Sequence, residues 1–252
     1  MATVVADAPV IEKPSRRSSE HRFFWSMSIL IALVVFIGFS RTYFLAPFFH
    51  VAHVAAAPHG LLVHVHAAVF TSWIALLVTQ ASLAASGNIN IHRRLGLTGL
   101  ALAPAMVILG VLVATEMVRR LGHVPHFDAP AIYAVALSEI TGFALPVFFA
   151  FRMRRRSAYH KRLILIGTIA MMTAGFGRWP VHFLLHQPLP AMLCTFSLLA
   201  LVAAYDLRSM RRIHPATAWA GAWVISIELM GDALGHTAAW HGFTAGVLRI
   251  FA

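Results

Sequence analysis

The chain has 252 residues, of which 59% are hydrophobic and 12% charged, about half the charged share of an ordinary soluble domain. Its mean hydropathy is +0.75, and apolar runs long enough to cross a bilayer recur along its whole length, which excludes a soluble globular protein. The net charge of +11 does not point to nucleic acid, because Lys and Arg of multi-pass proteins gather in cytoplasmic loops.

In chain order, residues 1–22 are polar and without periodicity, and they read as a disordered cytoplasmic tail. Residues 23–235 read as an all-α polytopic membrane helix bundle of about seven transmembrane helices. The spans are predicted near Phe24–Ala46, Leu61–Ala85, Gly96–Val118, Pro130–Arg152, Arg162–Leu185, Leu189–Leu207 and Pro215–Leu234. The first reads as an uncleaved helix, since its apolar run is too long for a signal-peptide core. Residues 236–252 form a short amphipathic stretch, predicted as an interfacial C-terminal segment.

Basic residues set the orientation. Lys13, Arg16, Arg17 and Arg22 lie in the tail, and Arg93 and Arg94 in the second-to-third connection. Arg152, Arg154, Arg155, Arg156, Lys161 and Arg162 lie in the fourth-to-fifth, and Arg208, Arg211 and Arg212 in the sixth-to-seventh. This alternation predicts a cytoplasmic N-terminus and an outside C-terminus. The expected setting is the inner membrane of a bacterium, with membrane lipids, other membrane proteins or further copies of the chain as partners.

An internal similarity links IHRRLGLTGLALAPAMV from Ile91 with YHKRLILIGTIAMMTAG from Tyr159. It aligns His92 with His160 and Arg94 with Arg162, and predicts a parallel hairpin repeat of helices two–three and four–five.

Histidine is the most informative residue. Of the 15, His21, His92, His160 and His214 fall on the predicted cytoplasmic side, and the other eleven on outer connections or helix ends. Imidazole is the commonest metal ligand, so a histidine-rich outer face predicts a ligand, metal or haem site in the outer half. His182 and His186 share one face at i,i+4 spacing if the helix continues past Pro180. Glu228, Asp232 and His236 form a second stripe, and these five residues are the candidate transition-metal ligands. His64 and His66, at i,i+2, point to different helix faces. Arg178 is expected to pair with Glu139, Glu228 or Asp232, because a lone ionised group in a bilayer costs at least about 2.5 kcal/mol at mid-depth. Gly231 and Gly235 have the GxxxG spacing of close helix packing. The single cysteine, Cys194, has no internal partner, and without a CxxCH sequence covalent c-type haem is excluded.

The stretch HVHAAVFTSWIALLVTQASLAASGNINIHRRLG, His64 to Gly96, resembles a hairpin of uncharacterised multi-pass bacterial membrane proteins, in which a His-led helix carrying Trp and Gln enters an HRRLG turn. YHKRL and its helix resemble the second half of that pattern, so the likeness covers the middle half of the chain. It brings no activity with it. The chain is also similar, more weakly, to small haem-b membrane cytochromes, whose haems take two histidines from different helices at one depth. That similarity implies an outer haem on His64 or His66 with His182 or His186. It also implies an inner haem on His92 with His160, although both lie in basic turns close to water, with arginines for the propionates. Seven-helix intramembrane zinc hydrolases share the predicted orientation, but their HxxxH lies on the last helix at the cytoplasmic face. The leading expectation is a non-catalytic or redox-associated membrane protein. An intramembrane metal-dependent hydrolase and a structural subunit of a larger membrane complex are the alternatives.

Overall fold

A computed structural model describes residues 16–49, 60–122, 128–185 and 188–250. These residues contain ten α-helices and no strand: α1 Arg16–Phe39, α2 Leu61–Ala85, α3 Ile89–Gly96, α4 Gly99–Leu121, α5 Ala129–Arg152, α6 Ser157–Ile169, α7 Met172–Phe176, α8 Pro188–Met210, α9 Pro215–Gly235 and α10 Ala238–Ile250. A π-helical turn, Ser40–Phe44, prolongs α1. Residues 1–15 lie outside the described part, and α1 begins at Arg16, inside the segment expected as tail.

Five helical stretches are long and apolar enough to cross a membrane: Ser19–Phe44, Leu61–Ala85, Ile89–Leu121, Ala129–Arg152 and Pro188–Met210. The chain is therefore an integral membrane helix bundle. Two of the seven expected spans fall outside this set, each for a physical reason. Arg162–Leu185 is not one helix: α6 stops at Ile169, Ala170–Met171 form a turn, and α7 ends at Phe176 ahead of Pro180. The last, α9, dilutes its apolar residues with Thr217, Ser226, Glu228 and Asp232. The third span is also interrupted, at Leu97–Thr98 between α3 and α4.

Neighbouring helices run antiparallel, so one end of the bundle collects the basic connections. There Trp25 Nε1 donates to Ser82 Oγ at 3.0 Å, joining the start of α1 to the end of α2. Phe23 stacks on Tyr205 of α8, and Tyr159 of α6 meets His214 edge-on. At the opposite end Tyr43 meets His64 at 3.0 Å, and Trp240 of α10 donates to the Pro130 carbonyl of α5 at 2.8 Å. Segment 236–252 thus holds a helix docked on the first turn of α5.

The central helix is α5, packed between α4, α6 and α9. The α5–α9 crossing is close because Gly231 and Gly235 face it: a Cβ on Gly231 would lie 2.5 Å from Ser138 Oγ, and one on Gly235 2.9 Å from Ala131 Cα. The main apolar core includes Ile31 and Val34 of α1, Phe143 of α5, Ile166 and Ile169 of α6, and Val224 of α9. Inside it, Trp73 of α2 donates to Thr168 Oγ1 of α6 at 3.1 Å, so the indole N–H is not buried without a partner.

The basic end is locked by a buried ion pair. Arg162, 1% exposed, meets Asp206, 0% exposed, through Nη2 at 2.5 Å and Nε at 3.0 Å. The other carboxylate oxygen accepts from Thr217 Oγ1 at 2.6 Å and His214 N at 3.1 Å. Arg162 Nη1 donates to the Ala158 carbonyl at 3.0 Å and lies 3.7 Å from Glu20, which also pairs with Lys161. One carboxylate thereby ties α6, α8 and α9 together, with α1 attached through Glu20.

His214 caps α9 by accepting from Ala216 N at Nδ1, 3.1 Å away, which requires the neutral ring. Burial, and then the charge of Arg162, hold this imidazole below its ordinary range. A lowered value in the folded state means that the cap is complete above the ordinary imidazole range and is lost as pH falls through the folded value. Melting in detergent is expected to weaken there by about one helix cap, roughly 1 kcal/mol. His214→Asn, which keeps an acceptor and does not titrate, is expected to remove that pH dependence.

Candidate functional site

Two polar sites interrupt the apolar interior beyond the Arg162–Asp206 lock. The first is a histidine pair at the basic end. After α2, Gly87 at φ +79° supplies the left-handed residue that lets the chain reverse into α3. α3 then lies back along α2, and His92 Nδ1 sits 3.3 Å from the Gln80 carbonyl. The second hairpin repeats the device: α6 starts beside the end of α5, and His160 Nδ1 sits 2.9 Å from the Ala150 carbonyl. A carbonyl only accepts, so each Nδ1 carries the hydrogen and each Nε2 presents a lone pair. Neither Nε2 has a hydrogen bond among the described residues. The charges of His92 and Arg154 both reach His160, and the Phe151 ring stands edge-on to it at 6.4 Å.

Beside this pair lies an amide without partners. Both side-chain atoms of Gln80 are buried and make no hydrogen bond. An unsatisfied buried polar group costs about 1–3 kcal/mol, so a polar partner at this amide would stabilise the fold. Gly96 leaves room next to it, since a Cβ there would lie 3.3 Å from Gln80 Nε2. His92 and His160 do not lie in loose turns, as the sequence implied. They sit on helices α3 and α6, and both are partly buried.

The second site lies midway along the bundle. Glu228 of α9 and Glu139 of α5 are 1% and 7% exposed, and the charge of Glu139 reaches Glu228. Glu228 Oε2 accepts from Thr173 Oγ1 of α7 at 3.0 Å, and Thr173 lies 2.8 Å from Thr195 Oγ1 of α8. Glu228 Oε1 is buried with no partner. Arg178 acts on Glu139 through space. It makes no direct ion pair with a carboxylate among the described residues. It donates instead to the Ala174 carbonyl at 2.6 Å and lies 4.8 Å from the Phe39 ring centroid.

The other expected ligands are spread over buried, exposed and undescribed positions. His182 lies in a turn beyond the end of α7 at Phe176, and His186 lies outside the described residues. Glu228 is buried, whereas His236 is an exposed cap whose Nδ1 lies 2.8 Å from the Asp232 carbonyl, so that stripe points at no common centre. Among the described residues no three His, Cys, Asp or Glu side chains come close enough to hold a metal. His64 is exposed and engaged with Tyr43, while His66 has a buried, unpartnered Nδ1 and packs against Phe70 at 5.1 Å. Neither meets His182 among the described residues. Six of the eleven outer histidines (His50, His53, His59, His123, His126 and His186) fall outside the described part.

Sequence reasoning passed over Asp206 and the Thr173–Thr195 pair. Asp206 carried a usable signal, because an acidic residue ending an apolar span needs a cation, and Arg162 is the buried one beside it. The two threonines carried none, since threonine commonly satisfies itself on its own helix. No protein-family model matches the chain, nor does any curated protein or solved structure.

Proposed function

We propose that the chain is a seven-crossing protein of a bacterial inner membrane, with its N-terminus cytoplasmic, that holds a b-type haem between His92 and His160 and serves electron transfer. The orientation rests on the gathering of its basic connections at one end of the bundle. Breaks such as Ala170–Met171 are compatible with crossing because neighbouring helices cover the backbone they leave open.

One observation carries the haem reading: two imidazoles from separate hairpins, each turned by an Nδ1–H bond to a backbone carbonyl so that Nε2 is the free lone pair. Ligating histidines are characteristically oriented in this way by a second bond. Haem iron needs only two such ligands, so the lack of a three-residue metal cluster among the described residues does not bear against it. When bound, haem supplies one-electron chemistry. The protein's part is to fix both rings, offer the Gln80 amide and place Arg154 near the pair for the propionates. The site then lies in the basic half, not the outer half to which the histidine count pointed.

The test is a visible spectrum of protein expressed with ample haem and purified in mild detergent. The expected result is a Soret band with the sharp reduced α band of six-coordinate low-spin haem. His92→Ala and His160→Ala are each expected to lose it while eluting as folded protein. His66→Ala and His182→Ala are expected to keep it. No Soret band in the wild-type protein would end the reading and leave a structural subunit as the better description.

A further inference from the structure

The mid-bundle cluster is independent of the histidine pair. Each packed element contributes known groups to it: Glu139 from α5, Thr173 from α7, Arg178 just beyond it, Thr195 from α8 and Glu228 from α9. Asp232 follows one turn later on α9, and His66 of α2 lies within reach of the charge of Arg178. Two carboxylates coupled through Glu139, with one guanidinium acting on Glu139, leave one negative charge unmatched if both are ionised. In a bilayer such a charge costs at least about 2.5 kcal/mol, and one added proton removes it.

The hydrogen bonds show where that proton fits. Thr173 donates to Glu228 Oε2 at 3.0 Å, and its hydroxyl also lies 2.8 Å from that of Thr195, which donates to the Ala191 carbonyl of its own helix at 3.2 Å. The Thr173 hydroxyl thus occupies one carboxyl oxygen as an acceptor. The other oxygen, Oε1, is buried, unpartnered and free to carry a hydrogen. Ser138 does not compete, because its hydroxyl already donates to the Val135 carbonyl at 2.7 Å.

We propose that Glu139 and Glu228 form one membrane-buried proton site, closed by Arg178, which takes up and releases a single exchangeable proton. Uptake forms one O–H bond on a carboxylate oxygen, with the proton delivered from water. Release reverses it, and no other bond changes.

A shared proton makes a prediction that two separately buried acids do not. Replacing either glutamate by glutamine leaves one carboxylate and one arginine in the cluster, whose charges sum to zero without a proton. The experiment treats the protein in detergent at neutral pH with dicyclohexylcarbodiimide, across whose C=N bond a protonated carboxyl adds, and locates the adduct by peptide mass spectrometry. Wild-type protein is expected to be labelled at Glu228 or Glu139. In Glu139→Gln the labelling of Glu228 is expected to fall at least tenfold, and in Glu228→Gln that of Glu139 likewise. Unchanged labelling of the remaining acid would overturn the shared site, and protection by sodium would replace the proton with a metal cation. Infrared spectroscopy gives the second readout: a carboxylic C=O band that shifts in D2O, present in the wild type and absent from both variants. Absence of that band from the wild type would overturn the proposal whatever the carbodiimide reaches. Both readouts are independent of haem.

Discussion

Arg162→Leu is expected to prevent accumulation of folded protein, and Arg162→Leu combined with Asp206→Leu to restore part of it. The single change leaves a fully buried carboxylate facing Thr217 and the His214 backbone, with no cation. Removing one partner of a buried pair costs about 3–5 kcal/mol, whereas replacing both by apolar residues of similar volume is often neutral. That cost is a large fraction of a folded protein's margin of about 5–15 kcal/mol. The measurement is fluorescence-detected size exclusion, followed by melting of whatever elutes as a single species. A single variant as stable as the wild type would show that Thr217 and the His214 backbone hold Asp206 without Arg162.

Gly38→Ala is expected to be the most damaging one-carbon change in the chain. A Cβ at Gly38 would fall on the Gly175 carbonyl oxygen, so the collision is with backbone and no side chain can turn aside. Gly175 faces Val34 in the same contact, and Trp179 donates to the Val34 carbonyl at 3.2 Å. These contacts seat the broken α6–α7 pass against α1. Overpacking a close contact costs about 1–3 kcal/mol, and more where only backbone can yield. Gly221→Ala is the control: nothing lies within 4 Å of its would-be Cβ, and alanine favours a helix over glycine by up to about 1 kcal/mol. Thermal melting should place the two variants on opposite sides of the wild type, and equal melting temperatures would refute the assignment of Gly38 to a tight crossing.

The helices were legible because apolar runs of bilayer length rarely serve a water-soluble fold. Leu61–Ala85 was expected with the bounds it has, and the basic connections expected on one side meet at one end of the bundle. The breaks were not legible. Arg162–Leu185 reads as continuous because its residues suit a helix individually, while the turn at Ala170–Met171 lies tight against α5, where a Cβ on Gly142 would sit 3.0 Å from the Ala170 Cβ. For the candidate site residues the sequence showed spacings but not partners. The pairing of His92 with His160 came from a repeated HRRL/HKRL pattern, and the fold gives both the same bond to a preceding helix. The outer ligand set rested on i,i+4 spacings, which place side chains on one face only if the helix exists. For His182 it does not. A buried acid announces that it needs a partner without naming it, and Arg178 answers Glu139 at a distance.

The lock at Asp206 also has a meaning in time. Helices enter the membrane in the order in which they are synthesised, and Arg162 arrives on α6 before Asp206 exists. Until α8 is in place its carboxylate neighbour is Glu20 of the first helix. When α9 follows, Thr217 and the His214 backbone close on the second oxygen of Asp206. The last helices therefore complete the pair in two steps: without α8 the buried arginine lacks Asp206, and without α9 the second oxygen of Asp206 lacks Thr217.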